Sequence, residues 1–169
     1  MEGEGIENKD SREAAKVSQT DETQPSMTAH TAQPQDATVV TDAKKPTILI
    51  VEDTEELAEV IQATLENRGM QVDWVAHGSK GIQKIKASVP DVLLLDIGLP
   101  DMTGWKMLEE LREWKPEPDT LPVVVVITAY GDPANRLIGK LQGIHSYLIK
   151  PFTSDEVEKA VQGALGRTS

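Results

Sequence analysis

Five polar side chains close four of the apolar runs in this sequence. Glu52 and Asp53 follow ILIV at 48–51, Asp96 follows VLLL at 92–95, Thr128 follows VVVVI at 123–127, and Lys150 follows YLI at 147–149. Three carboxylates held within ~4–5 Å repel by roughly 3–4 kcal/mol per pair at an effective dielectric near 20. Such a group either protonates or holds a cation. The chain has no cysteine, and neither His77 nor His145 has a second His or Cys at metal-ligand spacing. Oxygen ligands alone favour a hard divalent ion, of which Mg²⁺ is the natural choice. Mg²⁺ is commonly bound by one or two carboxylates together with waters and phosphate oxygens, which leaves room for a phosphoryl group. Lys150 can neutralise that group as a point charge, Thr128 can donate its hydroxyl to it, and a carboxylate can act as its nucleophile.

These residues can cooperate only if a fold brings the run ends together. Besides the four runs above there is a fifth, VDWV at 72–75. Helical periods lie between them. Leu57, Val60, Ile61, Thr64 and Leu65 share one face, as do Val157, Ala160, Val161, Ala164 and Leu165. Shorter stripes are Ile82 with Ile85, Met107 with Leu108 and Leu111, and Leu137 with Ile138 and Leu141. Thr153 and Glu156 form a capping-box pattern before the last helix. Continuously apolar strands separated by helices predict an α/β fold, a parallel sheet covered on both faces. Five strands and five helices with right-handed crossovers point to a flavodoxin-like doubly wound sheet of order 2-1-3-4-5. In such sheets ligands bind beyond the carboxyl ends of the strands, where these polar residues stand. Asp91, opening the third run, reads instead as a solvated residue at a strand start.

Residues 1–46 have another character: Glu, Asp, Thr, Gln, Ser and Ala with no sustained apolar period. So little burial cannot offset ordering entropy, which predicts a disordered acidic tail before a folded domain at 47–168. The formal net charge of −11 argues against direct nucleic-acid contact. An aromatic content of 4% is too sparse for base stacking. No apolar stretch approaches the ~18–20 residues of a bilayer span, so a cytoplasmic protein without membrane insertion is expected.

The run ends sit in four longer motifs: "ILIVEDTEEL", "DVLLLDIGLPDMTGW", "VVVVITAYGD" and "YLIKPF". In their order and spacing the chain resembles the response-regulator receiver domain of bacterial two-component signalling, over about residues 46–168. The resemblance implies that Asp96 is the phosphoacceptor. It implies Mg²⁺ held by Asp53, Asp96 and the Gly98 backbone carbonyl, with Glu52 acting mostly through water. Thr128 is the implied switch hydroxyl, with the Ala129 amide beside it on the phosphoryl group, and Lys150 the implied phosphate partner. Tyr147 takes the aromatic switch position, and the Lys150–Pro151 bond is expected to be cis. The implied partners are a sensor histidine kinase or phosphotransfer protein and a downstream protein target. That target would meet a surface of helix 4, strand 5 and helix 5, with a phosphorylation-dependent homodimer as a further possibility. Such a protein is not an enzyme beyond its own phosphorylation and slow dephosphorylation.

Only a few residues follow the last helical stripe, so a stand-alone, chemotaxis-type receiver is expected. Tyr130 is expected to screen the phosphoryl group, and Trp105, near the acceptor loop, to report Mg²⁺ binding by fluorescence. A Mg²⁺-dependent phosphohydrolase of the haloacid-dehalogenase type would want a second Asp two residues after the first, where this chain has Gly98. The stronger alternatives are a phosphorylation-independent interaction or dimerisation module and an intermediate in a phosphorelay.

Overall fold

The computed structural model describes residues 44–115, 117, 120–129 and 133–167, without the side chains of 133–136. The expected tail up to residue 43 and the expected role of Tyr130 lie outside the described residues. Strands β1 (Thr47–Val51), β2 (Gln71–Val75), β3 (Val92–Asp96), β4 (Val123–Thr128) and β5 (Ser146–Ile149) alternate with five helices. These are α1 (Glu55–Glu66), α2 (Gly78–Ala87), α3 (Gly104–Trp114), α4 (Pro133–Leu141) and α5 (Ser154–Leu165). All strand pairs are parallel and the order is β2-β1-β3-β4-β5, the predicted flavodoxin-like topology. The Gln71 amide donates to the Pro46 carbonyl at 2.8 Å, just before β1.

The two-residue period of a strand splits each apolar run between two cores. Ile48, Ile50, Val92, Leu94, Val125 and Ile127 pack with Ile61, Leu65, Val157 and Val161 of α1 and α5. Leu49, Val51, Leu93 and Leu95 pack with Ile82, Ile85, Met107, Leu108 and Leu111 of α2 and α3. Each fully buried Val, Leu or Ile side chain contributes roughly 1.5–3 kcal/mol. The aliphatic residues of β3 are all fully buried, so the strand that carries Asp96 is anchored from both faces.

Three expectations change. Asp91 is a half-buried staple and not a solvated residue: its Oδ2 accepts from the Thr47 amide at 2.7 Å and the Thr47 hydroxyl at 2.8 Å. Those bonds tie the starts of β1 and β3. Val60 is 57% exposed, because α1 buries the face of Ala58, Ile61 and Leu65 and Val60 falls outside it. The stripe on α4 faces outward, with Leu137 61% and Leu141 80% exposed. Gly139 is the buried residue there, and residues two apart on a helix do not share a face. A Cβ on Gly139 would run into the Tyr147 hydroxyl and lie 2.6 Å from the Ile144 Cδ1. The helix therefore approaches β5 through its glycine.

Candidate functional site

The strand ends place the site residues by backbone pairing. The Glu52 amide donates to the Val75 carbonyl of β2 at 3.2 Å, and the Ile97 amide to the Ile127 carbonyl of β4 at 3.3 Å. The Lys150 amide donates to the Thr128 carbonyl at 2.9 Å. These bonds carry the ladder one residue past β1, β3 and β5, so Glu52, Asp96, Thr128 and Lys150 leave the sheet at one edge. The Lys150–Pro151 bond is cis, as expected. Thr54 is the N-cap residue of α1 without a side-chain cap bond, and its amide donates instead to Glu52 Oε1 at 3.1 Å.

Carboxylate oxygens of Glu52, Asp53 and Asp96 come within 4.8 Å of one another. Glu52 and Asp96 are buried and Asp53 is exposed. Lys150 Nζ lies 2.7 Å from both Glu52 Oε2 and Asp96 Oδ2. Asp96 Oδ1 accepts from the Gly98 amide at 2.9 Å, so both of its carboxylate oxygens are held. Burial raises the Glu52 carboxyl above its usual range against the hydrogen bond from Lys150, and repulsion from Asp96 adds to the rise. Burial alone would lower the Lys150 ammonium, but its bonds to Asp96 and Glu52 outweigh that and hold it above its usual value. Lys150 thus pairs with Glu52 and Asp96, while Asp53 faces water. The donor set is all oxygen, mixed buried and exposed, which fits Mg²⁺ with several waters.

Thr128 is buried at the end of β4 and Ala129 is exposed after it. Tyr147 is half-buried with its hydroxyl against the backbone of Gly139. Trp74 belongs to the site more directly than its sequence suggests. Its indole N–H donates to the Glu52 carbonyl at 2.8 Å, whereas Trp105 packs half-buried beside the α2–α3 core. Asp101 is a second residue without a sequence signal. Its carboxylate accepts from the amides of Gly78 and Ser79 at 2.9 Å each. The backbone bond from Ser79 is the largest cause that lowers its carboxyl, from 3.8 to about 2.

The response regulator receiver domain family matches residues 48–162. The chain is 34% identical over 122 residues to the phosphate regulon transcriptional regulatory protein PhoB of Rhizobium meliloti, covering 72% of this chain and 53% of that protein. It is 33% identical over 124 residues to the transcriptional regulatory protein CreB of Escherichia coli, covering 73% and 52%. The chain therefore spans about half the length of these curated relatives. Among solved structures, the receiver domain of a Francisella response regulator superposes with a TM-score of 0.67 at 26% identity, over 74% of this chain and all of that one. A family match over most of the described fold, in the strand order predicted for it, makes this chain a member of the response-regulator receiver domains of two-component signalling.

Proposed function

We propose that this chain is a Mg²⁺-dependent phosphoacceptor that carries a signal by switching a protein-binding surface. The observation that carries this reading is the bridge from Lys150 Nζ to both Glu52 and Asp96 at 2.7 Å, within the three-acid cluster. A phosphohistidine of a sensor kinase or phosphotransfer protein, or a small acyl phosphate, is the donor. An Asp96 Oδ attacks phosphorus as the donor's N–P or O–P bond breaks, and the leaving group takes the electron pair. Lys150 transfers its bonds from the Asp96 carboxylate to the phosphoryl oxygens, where negative charge collects. Asp53, Asp96 and the Gly98 carbonyl would hold Mg²⁺, with Glu52 acting through water, and the bound ion would supply the remaining neutralising charge.

The switch follows from contacts made only by the phosphorylated state. The Thr128 hydroxyl and the Ala129 amide donate to the phosphoryl group, and Tyr147 follows Thr128. A ligand shifts a conformational equilibrium only by its differential interaction with the two states, and these donors provide that difference. The responding surface is α4, β5 and α5. Leu137 and Leu141 on α4 and the 39%-exposed Ile149 on β5 support it as a place for a protein partner or a second copy. The net charge of −11 favours a protein target over direct nucleic-acid contact. Turnover is confined to the chain's own phosphorylation and slow self-hydrolysis. A cytoplasmic site of action belongs to the same reading; no described helix is long and apolar enough to cross a membrane.

The test is to incubate the full chain with an acyl phosphate and weigh it intact, with and without Mg²⁺, beside Asp96→Asn. The expected result is one added phosphoryl mass in the wild type with Mg²⁺ and none in the other samples. No gain in a folded wild type, with either a small donor or a phosphohistidine donor, removes the reading.

A further inference from the structure

Helix α2 begins without a local cap. His77 holds the N-cap position with extended backbone and makes no side-chain cap bond, and the first turn contains no acid. Uncapped helix N–H groups otherwise lack intrahelical partners. Here two of them are satisfied from 22 and 23 residues away, by Asp101 Oδ1 on Gly78 and Oδ2 on Ser79. Apolar contact reinforces the pair. A Cβ on Gly78 would stand 2.7 Å from Met102 Cγ and 3.2 Å from Leu99 Cδ1, so only a glycine lets the loop come this close.

Asp101 lies at the tip of the segment joining β3 to α3. The stem of that segment is closed as well. Gly98 pairs with Thr103 in an antiparallel bridge, and the Gly104 amide donates to the Ile97 carbonyl at 3.0 Å. A Cβ on Gly104 would lie 2.6 Å from the Asp96 carbonyl oxygen, so the stem presses on the acceptor's own backbone. Gly98 itself is exposed, and the nearest atom to a Cβ there is Asp96 Oδ1 at 3.8 Å. Its amide is fixed on Asp96 Oδ1 at 2.9 Å and its far side by the stem bridge to Thr103, so the loop beyond it, which ends at the tip, bears on how its carbonyl is turned.

We propose that Asp101 is a positioning residue for the phosphoryl-transfer site: by clamping the β3–α3 loop onto the start of α2, it orients the Gly98 carbonyl towards the metal held at Asp53 and Asp96. The inference rests on the Mg²⁺ reading above and names a residue that reading does not use. The clamp acts through the loop and touches neither the metal nor the phosphoryl group.

The measurement is calorimetric titration of Mg²⁺ into the full chain, with urea unfolding in chelator on the same samples. Asp101→Ala removes both bonds. Supporting partners of metal ligands typically contribute 10–100-fold in affinity, and a backbone ligand one step removed is expected to lose roughly tenfold, the low end of that range. Asp101→Asn keeps one acceptor oxygen and is expected to fall between the two, which covers the case of an Ala variant that fails to fold. The decisive variant adds His77→Asp to Asp101→Ala, capping α2 from its own N-cap position without tying the loop. It is expected to recover the unfolding midpoint and to keep the weakened Mg²⁺ affinity. Recovery of both would mean that Asp101 only stabilises the helix, and a Mg²⁺ affinity within twofold of wild type in Asp101→Ala would overturn the proposal outright. A wild type that binds no Mg²⁺ would instead remove the reading on which the proposal rests, and the proposal with it.

Discussion

Replacing Lys150 with Met keeps most of the side-chain stem and removes the charge that bridges Glu52 and Asp96. The side chains of Glu52, Asp96 and Lys150 are 0%, 9% and 24% exposed. Breaking a buried ion pair by removing one partner costs ~3–5 kcal/mol. Access of water to Lys150 lowers this, so about 2–3 kcal/mol is expected at pH 7.5 without divalent ions. With a urea m-value of ~1–3 kcal/mol/M, the midpoint should fall by about 1–2 M. The pH dependence carries a definite sign. The Glu52 carboxyl is already raised above its ordinary 4.5, so the folded chain binds its proton more tightly than the unfolded one. Its contribution to stability is present below pH 4.5 and is lost as pH rises through the raised value. Without Lys150 the rise is larger and the loss extends to higher pH. The gap between variant and wild type should therefore narrow as pH falls towards 4.5 and Glu52 gains its proton, leaving the part owed to the Lys150–Asp96 bond. Urea unfolding in chelator at several pH values reads this directly. Midpoints that coincide at pH 7.5, or a gap that stays constant down to pH 4.5, would show that Lys150 does not hold a charged Glu52 in the fold.

Mg²⁺ should stabilise the wild type against thermal unfolding, by about 2.7 kcal/mol at a hundred times its Kd. Asp53→Asn should abolish that increment while leaving the metal-free melt near its wild-type position, since Asp53 is exposed; an undiminished increment would take Asp53 out of the metal site. Gly139→Ala should cost about 1–3 kcal/mol, the usual range for overpacking, because the new methyl meets the Tyr147 ring. Combined with Tyr147→Ala in a double-mutant cycle, the part of that cost owed to the tyrosine should disappear, leaving the part owed to Ile144 Cδ1. Additive losses would show that α4 does not bear on Tyr147 in solution.

The sheet and the polar cluster were legible for one reason: apolar runs long enough to be strands end in residues that a core rejects. Glu52, Asp53, Asp96, Thr128 and Lys150 announce themselves by interrupting burial, and topology does the rest. What stayed hidden depends on distance in sequence. Asp101 follows a Leu-Pro pair and reads as an ordinary turn acid, yet it caps a helix more than twenty residues earlier. Trp74 sits in an apolar run, and nothing in that run tells that its N–H meets the Glu52 carbonyl. The stripe on α4 shows a different gap. Periodicity groups Leu137, Ile138 and Leu141 on one side but does not say whether that side meets the sheet. A close approach at Gly139 decides it, leaving an apolar face in water. Val60 escapes for the same kind of reason, since small Ala58 takes the inward position on α1.

In the proposed mechanism the phosphoryl group forms on the carboxylate of Asp96, at the end of the fully buried strand β3, and not on its acidic neighbours. Borohydride reduction of the acyl phosphate followed by peptide mapping tests this at the residue. After incubation with Mg²⁺ and an acyl phosphate, reduction should convert Asp96 to homoserine and leave Glu52 and Asp53 unchanged. Conversion at Asp53, or an intact Asp96 in a chain that has gained phosphoryl mass, would rule out Asp96 as the phosphoacceptor.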